Sequence, residues 1–337
     1  FAGYITRVAA AIEEMTEEGL AHPTPFEIET AVAFLFFAEE KCDLVILEVG
    51  MGGNLDATNI IKNTVLAVLV PISMDHQAFL GNTLAEIAQK KAGIIKPGCS
   101  VVTVGQQPET MEVIRNVCQE KGADLTETDL NSIKALKEDF AGQILEYREE
   151  TYKISLAGSY QTENAALALD ALEVLNHKGY PTTVEQRKKG LEETKWNGRL
   201  TIIHRNPLFI VDGAHNPAAA DMLEDSVRKY FKGRKMYFIM GVFRDKDYSY
   251  IIRKLCPYAE QIVTIETPHN PRALPAQELA EAVRECNPHV QAAENIQDAV
   301  NKVFAMAERE DLILSFGSLS FIGEITTLVK NREEKNL

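Results

Sequence analysis

A chain of 337 residues, 45% hydrophobic and 25% charged, has normal soluble composition and is long enough for two globular domains with well-packed cores. Its formal net charge of -14 argues against a nucleic-acid binder, because that affinity rests on lysine and arginine displacing phosphate counterions. Five scattered cysteines without a CxxC pair fit free thiols in a reducing compartment, no apolar run approaches the roughly 20 residues that span a bilayer, and the first residues lack a secretory signal's order; the expectations are a cytoplasmic location and no membrane partner.

Residue 1 is Phe, and Phe1, Tyr4, Ile5, Val8, Ile12 and Met15 already have helical spacing, so the chain is expected to be a piece of a longer protein. Thr24-Pro25-Phe26-Glu27 reads as a capping box with proline at the first helical position, opening a helix to about Glu40. The run 43–48, apolar from Leu44 to Leu47 without polar alternation, predicts a strand covered on both faces, followed at once by the glycine-rich loop Gly50-Met-Gly-Gly. Val65 to Pro71 predicts a second buried strand. Thr83-Leu84-Ala85-Glu86 is another capping box, opening a helix that Gly93 can end, and Val101 to Val104 gives a third strand. Two β-like runs in 144–156 predict a hairpin at the sheet margin. Helices at 161–176 and 184–193 lead to a change of unit near 197, beyond which strands near 200–204, 208–211, 236–240, 261–265 and 311–316 alternate with helices near 217–231, 275–285 and 297–308. The charged tail KNREEKNL reads as a frayed helix end.

In open α/β sheets ligands gather beyond the carboxyl ends of the strands. Glu48 stands at such an end beside glycines that permit close backbone approach, a pattern that suits a hard-oxygen ligand for magnesium near phosphates rather than a structural carboxylate. Asp75-His76 follows the second strand on the same rim, which makes His76 a candidate. Lys90-Lys91, at the end of an amphipathic helix, reads on its own as favourable placement of cations at a helix C-terminus. In Asp212-Gly-Ala-His-Asn-Pro217, Asn216 is expected to cap a helix with Pro217 at its first position, while Asp212 and His215 face a crevice.

With Glu48-Val-Gly-Met-Gly-Gly, Leu55-Asp-Ala-Thr-Asn, Asp75-His76, Lys91-Ala-Gly-Ile-Ile-Lys-Pro and Asp212-Gly-Ala-His-Asn-Pro in this order, the chain resembles folylpolyglutamate synthase/dihydrofolate synthase of the Mur ligase superfamily over essentially all its residues. Gly213 favours the folate branch over the muramyl ligases. The resemblance implies an α/β fold: a P-loop-type, mostly parallel sheet domain over 1–197, truncated at its N-terminus, followed by a smaller Rossmann-like α/β domain over 198–337. It implies Glu48 and His76 as magnesium ligands, and Lys91 as a carbamylated lysine, which reverses the helix-end interpretation. Asp56 and Ala57 become contacts to the pterin substrate, Asn164 a contact to adenine, and Arg199 and Asp212 contacts to the nucleotide; His215 and Ser318 would line the site where glutamate enters, between the domains.

The implied reaction is ATP-dependent amide formation in folate biosynthesis and one-carbon metabolism, with Mg2+ as cofactor and ATP as co-substrate. A folate or dihydropteroate carboxylate takes the γ-phosphoryl group, and the amine of L-glutamate displaces phosphate from the acyl phosphate. A monomer is implied. The chain departs from the family at Asn54, where Arg is usual, and at Tyr160, where His is frequent. No GK[ST] phosphate loop occurs, so about a hundred N-terminal residues, the first βα unit of a P-loop fold, are expected to lie outside the chain, and the chain alone is expected not to turn over ATP. The alternatives are another Mur-type amide ligase, muramyl or poly-amino-acid, and a truncated binding module without catalysis.

Overall fold

The computed structural model describes residues 1–140 and 142–335, and the chain folds as two compact units: residues 1–128 with 173–179, and residues 129–172 with 180–337. In the first unit, α1 (Ala2–Glu17) and α2 (Pro25–Glu39) come first. The capping box of α2 forms as expected: Thr24 Oγ1 accepts from Glu27 N at 3.3 Å, and the Glu27 carboxylate accepts from Thr24 N at 2.7 Å. Then follow β1 (Leu66–Leu69), the short α3 (Gln77–Leu80), α4 (Leu84–Lys91), β2 (Ser100–Val104), α5 (Pro108–Lys121) and β3 (Asp124–Thr128). The strands form a parallel sheet in the order β1-β2-β3, with Leu66 opposite Ser100 and Ser100 opposite Asp124. Its core joins Leu69 and Val101 to Ile87 of α4 and Ile114 of α5.

Two expectations change here. Residues 43–48 form no strand: a strand needs a hydrogen-bonded neighbour, and none pairs with this segment among the described residues, so Ile46 is 90% exposed. Glu48 therefore ends a segment with no strand pairing. Nor does Gly93 stop the fourth helix, because a 3-10 turn, Ala92–Ile94, carries it on. Glycine is required there by space, since a Cβ would come within 2.5 Å of the Cβ of Asn54.

The second unit begins with β4 (Lys134–Asp139), β5 (Gly142–Tyr147) and β6 (Glu150–Ile154), followed by α6 (Tyr160–His177), whose last turns belong to the first unit, and α7 (Val184–Glu193). The expected hairpin at a sheet margin is instead part of a separate antiparallel sheet, β4-β5-β6. Arg148 and Glu149 both have positive φ (50° and 66°), the twist that a tight two-residue hairpin turn requires. Phe140 packs on Phe231 at 5.6 Å between ring centroids, tying this sheet to the core that follows. Residue 197 thus lies inside the second unit.

The remaining elements are β7 (Thr201–Arg205), β8 (Leu208–Val211), α8 (Pro217–Tyr230), β9 (Met236–Met240), α9 (Tyr248–Leu255), β10 (Gln261–Thr264), α10 (Ala276–Arg284), β11 (Val290–Ala292), α11 (Ile296–Met306), β12 (Leu312–Phe316) and α12 (Ile322–Lys335). They build a six-stranded sheet in the order β11-β10-β9-β12-β8-β7, parallel except for β7 against β8. Both faces are covered: Leu208, Ile210 and Phe238 enter one core, Phe209, Val211 and Ile239 the other. That explains apolar runs without alternation. The tail continues α12 as far as Lys335; Asn336 and Leu337 lie outside the described residues. Among the described residues no helix is long and apolar enough to cross a membrane.

Candidate active site

A cavity lies at the carboxyl ends of the strands in each unit, mostly polar in the first and mostly apolar in the second. In the first unit the glycine loop is fastened to the end of α4: Asn54 N donates to Lys90 O at 3.0 Å, and Asn59 Nδ2 donates to Asn54 O and Gly93 O at 3.2 and 3.1 Å. Lys96 Nζ adds a bond to Asn59 O at 3.0 Å. Gly53 permits this approach, because a Cβ there would sit 2.8 Å from Lys91 O and 2.9 Å from Lys90 O, both backbone atoms. Asp56 closes the loop from within, its carboxylate accepting from Met51 N at 2.9 Å, Thr58 N at 3.0 Å and Thr58 Oγ1 at 2.6 Å.

The result is a cavity of about 210 Å³ between the loop (Gly50, Met51, Gly52) and the segment after β1 (Ser73, Asp75, His76), with Lys91 in its wall. His76 has a left-handed backbone, φ 52°, and its N–H donates to Asp75 Oδ1 at 2.8 Å. Partial burial pushes the Lys91 ammonium below the ordinary lysine value, and the charge of Asp75 opposes that shift. The two lysines at the end of α4 are thus unequal: Lys90 is exposed, while Lys91 is half-buried. Among the described residues no three His, Cys, Asp or Glu side chains converge as a self-sufficient metal site. A cavity with one carboxylate and one imidazole fits a magnesium ion held by few protein ligands and completed by water and phosphate oxygens.

In the second unit a cavity of about 190 Å³ lies against the turn after β8, with Tyr160, Arg199, Asp212 and Asn216 among its walls. Asp212 is 5% exposed and clamps two backbone groups, accepting from Leu200 N and Ala214 N at 2.9 Å each. Burial drives its carboxyl above the usual carboxylate value; the two N–H donors, Arg199 and His215 oppose that shift. Its bond to Leu200 holds that residue at φ 43°, a left-handed conformation unfavourable for a branched aliphatic. Gly213 leaves room for the side chains beside it, since a Cβ would fall 2.6 Å from Arg199 Nη1 and 2.3 Å from Leu319 Cδ2 and both side chains would have to shift. Asn216 caps α8 by accepting from Ala219 N at 2.9 Å, with Pro217 at the first position. Tyr160 is buried enough for its phenol to rise to about 12, so it stays neutral.

Residues 4–172 match the Mur ligase middle domain and residues 198–319 the Mur ligase glutamate ligase domain. A dihydrofolate synthase/folylpolyglutamate synthase of Bacillus subtilis is 33% identical over 334 residues, which is 97% of this chain and 77% of that enzyme. The chain belongs to this Mur ligase family. A folylpolyglutamate synthase of Lacticaseibacillus casei is 33% identical over 80% of this chain and 64% of its own length. Among solved structures, Mycobacterium tuberculosis folylpolyglutamate synthase complexed with ADP and AMPPCP superposes with a TM-score of 0.85 at 30% identity, covering 97% of this chain and 78% of that one. The E. coli FolC structure in complex with DHPP and ADP gives 0.79 at 29%, covering 92% and 72%.

In this folylpolyglutamate/dihydrofolate synthase family member, the structure brings His76 and Lys91 into one cavity and Arg199 and Asp212 into another. It does not bring in every residue expected from sequence. Glu48 is exposed one residue before the cavity wall begins at Val49. Asn164 is exposed and donates to Gln161 Oε1 at 3.1 Å; it is Tyr160, one helical turn earlier, that lines the cavity. Ser318 is buried and accepts from Ser320 N at 3.2 Å, while His215 Nδ1 is 2.8 Å from Gly213 O. Asp56 holds the loop, and Ala57 opens the 3-10 turn beside it. Asp75 also lines the cavity wall, and its place next to His76 in the sequence is the signal for it.

Proposed function

We propose that this protein is an ATP-dependent acid–amino-acid ligase that joins L-glutamate to the carboxylate of a folate or dihydropteroate by way of an acyl phosphate. The observation that carries this reading is the first cavity, where a half-buried lysine, an imidazole, a carboxylate and a glycine loop converge. Lys91, with its ammonium destabilised by burial, is suited to react as the free amine with carbon dioxide, which would place a carboxylate-like group in the wall. His76 in the cavity wall and Glu48, one residue before that wall begins, would hold Mg2+, which when bound supplies positive charge to the transferring phosphoryl group. Asp56 and Ala57 would meet the pterin-bearing substrate.

In the second unit, Arg199 and Asp212 would hold the nucleotide and Asn164 would approach adenine. His215 and Ser318 would serve the entering glutamate. Arg199 supplies the fixed positive charge, and Asp212 sets the backbone from which it projects. Excluding water from the acyl phosphate favours aminolysis by glutamate over hydrolysis. A functional boundary near 197, a monomeric state and a cytoplasmic location complete the proposal.

The test is product analysis by mass spectrometry with the gene product that carries these residues, given ATP, Mg2+, L-glutamate and either dihydropteroate or tetrahydrofolate. A glutamyl conjugate formed with ADP and phosphate is expected. Glutamylation only of UDP-muramyl acceptors would move the protein to another Mur branch, and nucleotide binding without any conjugate would make it a non-catalytic binding module.

A further inference from the structure

The segment that carries Asp75 and His76 leaves the sheet early. β1 ends its ladder at Leu69 opposite Thr103, so beyond that point backbone pairing no longer fixes the chain. Side chains take over. Thr103 Oγ1, buried, donates to Leu69 O at 2.8 Å. Gln106, in the turn between β2 and α5, accepts from Ile72 N through Oε1 at 2.7 Å, and its Nε2 reaches Thr103 Oγ1 at 3.0 Å and Val70 O at 3.5 Å.

One amide therefore replaces the ladder for the residues between the strand and the cavity. Ile72 is fastened at both ends, its side chain in the core and its N–H on Gln106, and the flanking Pro71 and Ser73 are cavity walls. Past this anchor the chain turns through the left-handed His76, whose carbonyl accepts from Phe79 N and Leu80 N at 2.9 Å each to start α3. A left-handed residue other than glycine persists only where its surroundings hold it.

We infer that Gln106 is a positioning residue for the first cavity: through Ile72 and Val70 it fixes the rim that presents Asp75 and His76 opposite Lys91. This rests on the reading of that cavity as the metal and phosphate site. Carboxamide chemistry suits the task, since it needs an acceptor for one backbone N–H and a donor for one backbone carbonyl at the same place.

The test compares wild type with Gln106→Ala, Gln106→Met and Gln106→Glu, by amide hydrogen exchange and by Mn2+ titration as a paramagnetic stand-in for magnesium. Methionine keeps the bulk without the bonds, and glutamate keeps the acceptor for Ile72. In the alanine and methionine variants, exchange is expected to quicken about 10-fold at Ile72 and also at Phe79 and Leu80, with Mn2+ affinity weakened by about 10-fold or more; glutamate, which keeps the acceptor for Ile72 N but sets a second acceptor against Val70 O, should recover only part of the protection at Ile72. Wild-type exchange at Phe79 and Leu80 in the alanine and methionine variants would overturn the inference, because Gln106 would then be a local tie only. If wild type takes up no Mn2+, the metal assignment falls, and exchange at Phe79 and Leu80 alone decides the role of Gln106.

Discussion

Replacing Asp212 separates its clamping role from its charge. Asp212→Ala leaves Leu200 N–H and Ala214 N–H buried without acceptors, at about 1–3 kcal/mol each. The gross cost is about 2–6 kcal/mol, partly offset by no longer burying a carboxylate. Asp212→Asn keeps one acceptor and turns an NH2 group toward the other N–H, so it should cost about 1–3 kcal/mol less than alanine. Trp196, the only tryptophan, lies in the second unit beside this turn, its carbonyl accepting from Thr201 Oγ1 at 3.3 Å, and its fluorescence reports urea unfolding there. The pH dependence has a definite sign. Because burial raises the folded-state pKa of Asp212 above its unfolded value, its contribution to stability is fully present below the unfolded pKa and is lost as pH rises through the folded one. Wild type should therefore gain on Asp212→Asn as pH falls through that window. Equal stability of the alanine and asparagine variants, or a wild type–asparagine difference that is flat with pH, would refute the clamp and the buried charge respectively.

Three further outcomes are expected. Lys91→Ala should abolish conjugate formation, with partial rescue by added short carboxylates, while intact-mass measurement of wild type in bicarbonate should show one added carboxyl group that Lys91→Ala lacks. Gly53→Ala should destabilise the first unit by about 1–3 kcal/mol in chemical denaturation, because the new methyl would meet two backbone carbonyls that cannot rotate away. Tyr147→Phe removes a hydroxyl that bonds both oxygens of the buried Asp170 at 3.0 Å, leaving Arg148 as that carboxylate's ion-pair partner, and should cost about 1–3 kcal/mol by thermal unfolding.

What the sequence showed well was local. The capping residues Thr24 and Asn216 act within three residues of themselves, and the buried runs of β8 and β9 report cover on both faces. What it showed poorly depended on partners distant along the chain. Apolar 43–48 looked like a strand, yet strand formation is settled by a neighbour and not by the run itself. β4, with the sequence KALKED, was overlooked because it is mostly exposed and carries no apolar face. The difference between Lys90 and Lys91 was invisible in a helix-end pair, since it arises from the loop folded over one of them. Gly93 looked like a helix stop and is instead a gap left for Asn54.

The bonding of Asp56 has a thermodynamic consequence. An ionised carboxylate has about four acceptor positions, and Asp56 already uses three within its own loop. A substrate donor that recruits this carboxylate must share the remaining position or displace the bond to Met51, a residue of the cavity wall that also contains Lys91. Occupancy at Asp56 and occupancy of the cavity are then linked quantities, and any change in affinity that one causes in the other must be returned in equal measure.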